Sequence, residues 1–309
     1  MLTDQAFVGA GQSLRISLEP GTEQSNASVR FTEPWLFDQP YSFSTEVYYR
    51  DRQRLNYDDT RGGGRVTFGK RFNYVYSAAI PLRGEDVEIH DIDDPLERAP
   101  EIVDLEGHST LTSAGLLVRR DTTNRGFLPW RGTNSQIGWD SYGALGGEFY
   151  FQKFTSSWDS YISLFEDLLE RRTILNLHAD AGYIWGDAPF FERFYGGGLG
   201  SVRGFRFRGI SPRSGLDDDP VGGDFSLTGT AEVSFPLSGD SLRGVVFVDA
   251  GTVEEEFEVN TVRASIGAGI RLIIPFLGQT PIAIDLAFPL SKDDEDDTQI
   301  ISFSLGFTP

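Results

Sequence analysis

Ser226-Leu227-Thr228-Gly229-Thr230-Ala231-Glu232-Val233-Ser234-Phe235 alternates without a break. Leu227, Gly229, Ala231, Val233 and Phe235 fall on one face of an extended chain, and Ser226, Thr228, Thr230, Glu232 and Ser234 on the other. One face is apolar and its reverse is polar. The pattern recurs downstream, where Val262, Ala264, Ile266, Ala268, Ile270 and Leu272 oppose Arg263, Ser265, Gly267, Gly269 and Arg271. Ile282, Ile284, Leu286 and Phe288 oppose Ala283, Asp285 and Ala287, and Ile301, Phe303, Leu305 and Phe307 oppose Ser302, Ser304 and Gly306. Runs of this length cross a bilayer as tilted strands.

Upstream the alternation is weaker. It is legible in Gln12–Glu19, Asn26–Glu33, Tyr41–Arg50, Gly63–Lys70, Tyr74–Ile80, Ser109–Arg119, Asn134–Tyr142, Phe149–Ser156, Asp159–Phe165 and Thr173–Ile184. Asp159–Leu177 also carries helical spacing through Leu164, Leu168, Leu169 and Glu170. Its place between strand-like runs favours two strands joined by a charged turn at Glu166–Arg172. The expectation is an all-β antiparallel transmembrane barrel of about fourteen strands, with residues 1–309 as one domain.

A soluble β-sandwich alternates in the same way. Two features favour the barrel. The polar faces of the last strands carry Gly, Ser and isolated charges, as a wet lumen would, and Trp35, Tyr41 and Trp185 sit near strand ends like an interfacial girdle. Glu33 and Asp285 read as ordinary strand-end or lumen polar residues.

Composition agrees. Apolar residues make up 39% of the 309, yet Phe (24), Tyr (11) and Gly (35) are abundant, which suits short strands joined by many turns. The densest apolar stretch, Leu272–Leu277, is short and contains Pro275, so membrane-spanning helices are excluded. A net charge of -19 argues against a nucleic-acid partner. The runs Asp217–Asp219 and Asp293–Asp297 read as solvated loops rather than divalent-ion sites. There is no cysteine, hence no disulfide or thiolate metal site. The start Met1-Leu2-Thr3-Asp4-Gln5 has neither the basic nor the apolar part of a signal peptide. His90, His108 and His178 show no metal-ligand spacing, and His178 beside Asp180 reads as polar wall. No enzyme, metal or cofactor is expected.

The longest interval without alternation, Trp185 to Asp224, contains Glu192-Arg193-Phe194-Tyr195-Gly196-Gly197-Gly198-Leu199-Gly200-Ser201-Val202-Arg203-Gly204-Phe205. A nucleotide-binding loop would need a Lys-Ser/Thr pair and a following helix, and has neither. The segment resembles the long sixth loop of BamA-type barrels, whose signature is Val-Arg-Gly-Phe after a Gly-rich stretch. Arg30–Asp38 resembles that family's early strand ending, Arg120–Thr133 its mid-barrel turn, and Phe247–Gly251 the wall strand that receives the loop. The resemblance covers essentially the whole chain.

It implies a sixteen-stranded outer-membrane barrel, of which this chain lacks the periplasmic POTRA domains and most of the first two strands. It implies that the loop, through Gly196, Gly197, Gly198, Val202, Arg203, Gly204 and Phe205, folds into the lumen against the wall. An unpaired guanidinium there is costly. Asp249, in phase with Phe247, is the leading partner, with Glu232 nearby. Phe303, Leu305, Gly306 and Phe307 resemble the terminal strand signal of outer-membrane proteins, extended here by Thr308 and Pro309. The implied function is folding and inserting client β-barrel proteins into the outer membrane of a Gram-negative-type bacterium, through a seam between first and last strands. Membrane lipids including lipopolysaccharide, client barrels and accessory lipoproteins are the implied partners. A polypeptide-secretion pore of the two-partner type, a passive porin and a non-functional truncated remnant remain as alternatives.

Overall fold

The computed structural model describes residues 2–7, 11–21, 24–54, 56–124, 128–167, 171–239, 241–273 and 281–305. Fifteen strands form one sheet in chain order. They are β1 (Leu2–Phe7), β2 (Gln12–Glu19), β3 (Gln24–Glu33), β4 (Tyr41–Gln53), β5 (Asp58–Arg71), β6 (Tyr76–His90), β7 (Gly107–Asp121), β8 (Gly132–Tyr142), β9 (Phe151–Glu166) and β10 (Arg172–Gly186). After a long loop follow β11 (Phe225–Ser238), β12 (Leu242–Glu254), β13 (Arg263–Ile273), β14 (Pro281–Ser291) and β15 (Ile301–Leu305). Every neighbouring pair is antiparallel. Among the described residues no helix is long and apolar enough to cross a membrane.

Besides longer strands such as β5 and β6, the strand set differs from expectation in three places. Phe149–Ser156 and Asp159–Phe165 are one continuous strand, β9, paired with β10 along its length. Leu242–Glu254 is a full strand, longer than the Phe247–Gly251 patch. Leu2–Phe7 pairs with β2, so β1 and not Gln12–Glu19 forms the first edge. Of the terminal signal, Gly306 and Phe307 lie outside the described residues, as do Arg125-Gly126-Phe127 of the mid-barrel turn.

Burial decides between sandwich and barrel. On β13 the apolar face is exposed, with Ile266 at 46% and Ile270 at 42%, while Arg263, Ser265 and Arg271 on the reverse face are buried. On β14, Leu286 and Phe288 point outward and Asp285 is fully buried. A soluble fold would place these faces the other way; a wall between lipid and lumen places them so.

The sheet curls around the 187–224 loop. Tyr57 before β5, Val87 and Ile89 of β6, and Ala99 and Ile102 of the β6–β7 connection form one buried cluster with Phe190, Phe191 and Val221. Val202, Phe205 and Ile210 pack on Val253 of β12. The hydrophobic core thus lies inside the barrel, between loop and wall. Gly204–Phe205 also pairs with Thr298–Gln299, tying the loop to the segment before the last strand.

The two sheet edges follow from parity. Fifteen strands with antiparallel neighbours leave β1 and β15 running in the same direction. Among the described residues no register joins them. Among the described residues, four partners join β1 to β2 and five join β14 to β15.

Candidate functional site

Arg203 is 1% exposed, and the structure sets it against three carboxylates on three wall strands. Its Nε donates to Asp249 Oδ2 at 2.7 Å and its Nη2 to Asp249 Oδ1 at 2.8 Å, a two-pronged match of guanidinium to carboxylate. The backbone N–H of Arg203 also donates to Asp249 Oδ2, at 3.0 Å. Nη1 donates to Glu232 Oε2 at 2.7 Å and lies 3.6 Å from Asp285 Oδ2. The guanidinium carbon sits 3.3 Å from the centre of the Phe247 ring, which supplies a cation–π floor. Burial works against the Arg203 charge, and Asp249 and Glu232 more than restore it.

Register explains the convergence. Glu232 faces Phe247 across β11–β12, and Asp249 faces Ser265 across β12–β13. Glu232, Phe247, Asp249, Ser265 and Asp285 all lie on the lumen side of their strands. Arg271 of β13 closes the network, donating to Asp285 Oδ1 at 2.6 Å and to Glu232 Oε2 at 3.2 Å. Thr230 Oγ1 donates to Asp249 Oδ1 at 2.9 Å. Two guanidinium groups therefore face three carboxylates. Asp285, read from sequence as an ordinary lumen residue, is part of this cluster. Glu33, read the same way, is 8% exposed and accepts hydrogen bonds from Gln12 Nε2 at 2.5 Å and the Trp35 N–H at 2.9 Å.

The flanking motif residues shape the approach. Gly204 has φ of +94°, and a Cβ there would stand 3.3 Å from Ser265 Cβ and 3.4 Å from Ala287 Cβ. It lets the backbone lie against β13 and β14. Gly197, at φ +91°, turns beneath the Arg206 carbonyl, which a Cβ would strike. Gly196 pairs with Ile210, and the Gly198 N–H donates to the Phe205 carbonyl at 3.0 Å. Val202 and Phe205 are fully buried.

Sequence reasoning assigned no role to Glu192, and the structure makes it a second anchor. It is 6% exposed and lies 3.0 Å from Arg83, 3.3 Å from Arg61 and 3.5 Å from Lys153. The Tyr142 hydroxyl donates to it at 3.0 Å, and Lys153 Nζ donates to its carbonyl at 2.5 Å. Burial pushes the Glu192 carboxyl up, but Arg83, Lys153 and Arg61 outweigh it and hold the pKa down to about 2. Arg83 and Arg61 also flank Glu85, which accepts from the Tyr48 hydroxyl. The loop is therefore clamped to β5, β6, β8 and β9 by Glu192 and to β11–β14 by Arg203. The acidic partner of the first clamp lies on the loop and that of the second on the wall.

The two ring nitrogens of His178 lie 2.8 Å from Asp159 and 2.8 Å from Asp180 on the lumen wall. Asp58, His90 and Asp91 bring their ligand atoms within 4.8 Å of one another at the rim.

The family model of the Omp85 superfamily domain matches residues 7–308. The outer membrane protein assembly factor BamA of Neorickettsia risticii is 25% identical over 317 aligned residues, covering 96% of this chain and 41% of that protein. BamA of Nitratidesulfovibrio vulgaris is 28% identical, covering 89% of this chain and 35% of its own length. This chain thus spans about two fifths of these relatives. Among solved structures, BamA from Haemophilus ducreyi lacking POTRA domains 1–3 superposes with a TM-score of 0.80 at 20% identity, covering 95% of this chain and 64% of that one. CdiB from Acinetobacter baumannii gives 0.60 at 16% identity, covering 95% and 53%. With its sheet of outward apolar faces, its clamped loop and this match over nearly its whole length, the chain belongs to the Omp85 superfamily of outer-membrane β-barrels.

Proposed function

We propose that this barrel folds and inserts client β-barrel proteins into the outer membrane by offering its edge strands as templates. The observation that carries the reading is the pair of edges, β1 and β15, which share no register among the described residues. Strand hydrogen bonds are the main cohesion of a barrel in lipid, where an unpaired edge is costly. Strand addition is then the templating step, with no chemical catalysis. Outer-membrane lipids, lipopolysaccharide among them, client barrels and accessory lipoproteins are the partners of this reading.

A polypeptide-secretion pore would need a path through the lumen. The loop occupies it, held at Glu192 and Arg203, so secretion would require both clamps to release. This supports assembly over passive diffusion.

The test is photo-cross-linking from Phe303 of β15, an outward residue 63% exposed, with Ile137 of β8, also 63% exposed, as the mid-wall control. A client barrel folding in the same bilayer should cross-link at Phe303 and not at Ile137. Equal adducts at the two positions, or none at Phe303, would remove the edge from the mechanism.

A further inference from the structure

Away from the Arg203 clamp, arginines gather where the β4–β5 hairpin meets the loop. Arg50 and Arg52 lie on the lumen face of β4, the side on which Tyr48 is buried. Arg50 stands directly opposite Arg61 of β5, and like charges in that position repel. Arg54 follows at the end of the strand, its guanidinium carbon 5.8 Å from the centre of the Phe207 ring. Arg208 of the loop reaches the same ring from its own side, at 5.9 Å, stacks 4.0 Å over Tyr195, and donates to the Tyr57 hydroxyl at 3.0 Å.

Carboxylates do not match this charge. Asp59 is the acid opposite Arg52 in register, but Arg61 engages its Oδ2 at 3.2 Å. Among the described residues, no carboxylate forms an ion pair within 4 Å with Arg52, Arg54 or Arg208. The Nε atoms of Arg52 and Arg54 are buried without a hydrogen-bond partner. Burial, and next the Arg208 charge, lower the pKa of Arg54. Buried guanidinium groups are costly unless an anion meets them, and their forked donors fit oxyanions with several oxygens.

One further atom narrows the anion. Asp59 Oδ1 is also buried without a partner, on the same lumen face and directly across from Arg52. A carboxylate acceptor beside an anion site repels any oxyanion that has no proton to donate. A phosphate monoester keeps such a proton below its second pKa of about 6, and a carboxylate acceptor facing its P–O–H favours the protonated form. Sulfate and phosphodiesters carry no such proton.

We infer that Arg52, Arg54 and Arg208, with Asp59 as acceptor and the Tyr57 hydroxyl as a neutral donor, form a site for a monoprotonated phosphate group, free or as a monoester. The guanidinium groups neutralise the oxyanion, and Asp59 Oδ1 accepts its P–O–H. Such a group on a glycolipid or lipid at the outer rim, or dissolved phosphate, presents the same chemistry.

The full chain, refolded in detergent and checked by heat-modifiable migration, is titrated calorimetrically with sodium phosphate and separately with sodium sulfate at constant ionic strength. Phosphate should bind, sulfate should bind about tenfold or more weakly, and Arg52→Gln and Arg54→Gln should each weaken phosphate by about tenfold or more. Arg120→Gln, at an exposed position on β7, should leave binding unchanged. Asp59→Asn should narrow the gap between phosphate and sulfate. Reconstitution in phosphatidylcholine with and without phosphatidic acid separates the sources: if the lipid monoester abolishes the phosphate titration, lipid headgroups reach the site at the rim, and if it does not, the ligand is dissolved phosphate. Either result upholds the site. Absence of phosphate binding, sulfate binding as tightly as phosphate, or arginine variants that bind like the parent would each overturn it.

Discussion

Replacing Arg203 and Asp249 singly and together tests the clamp that holds the loop. Removing the Arg203 side chain takes away three donor contacts, keeps the backbone N–H on Asp249, and leaves Glu232 and Asp285 with Arg271 while Asp249 loses its guanidinium. The buried charge balance goes from one excess negative charge to two. Removing Asp249 leaves Arg203 with Glu232 and Asp285, and the cluster becomes neutral. Breaking a buried pair costs about 3–5 kcal/mol because the survivor stays desolvated. Arg203→Ala should sit at the upper end of that range and Asp249→Ala at the lower. The double variant should cost less than the sum by about 2 kcal/mol or more, since neither partner is left to be orphaned. The measurements are urea unfolding in one defined lipid and trypsin cleavage at the loop arginines, for the parent and all three variants. Strict additivity, or singles whose loop resists trypsin as the parent does, would mean that the Arg203–Asp249 pair does not hold the loop.

Three other outcomes follow from the geometry. Glu192 has a folded pKa depressed from 4.5 to about 2, so its stabilisation, about 3 kcal/mol, is complete above about pH 4.5 and is lost as the pH falls through about 2. Pepsin cleavage of the loop should rise across that window in the parent, whereas Glu192→Gln should be sensitive throughout and lack the acid step. Gly204→Ala should cost about 1–3 kcal/mol through its positive φ and its contacts with Ser265 and Ala287, while Gly84→Ala, with open space around it, should be nearly neutral in the same unfolding assay. Amide hydrogen exchange should be fastest among the strands in β1 and β15, each paired on one side only among the described residues, and slow in β11, which is paired on both sides; equal protection would mean that the edges are joined.

The alternation of β11, β13 and β14 was legible because lipid lies on one face and a wet lumen on the other. It failed at β12, where Val245 and Phe247 point inward and Val246 and Val248 outward. The clamped loop makes the lumen face of that strand as dry as its lipid face, so the period of two vanishes. It failed differently in β6, expected to end at Ile80 and found to reach His90. Beyond the lipid the polarity inverts, with Val87 and Ile89 buried inside and Asp86 and Glu88 outside. In β9, Ser156-Ser157-Trp158-Asp159 looked like a break and is continuous wall. The Arg203 region was readable because its motif is local and its wall residues lie on strands with clear phase. Glu192 was not, because its partners Arg61 and Arg83 stand more than a hundred positions away on strands whose lumen faces are already crowded with charge.

The central claim is that a free edge of this barrel templates the insertion of others. Its most direct test is the folding rate of a urea-unfolded client barrel into liposomes carrying the refolded chain, followed by heat-modifiable migration. Client folding should be faster than in empty liposomes, and the acceleration should be lost when β15 is capped by a cross-link at Phe303. Folding no faster than in empty liposomes, with client added at either order of reconstitution, would contradict that claim.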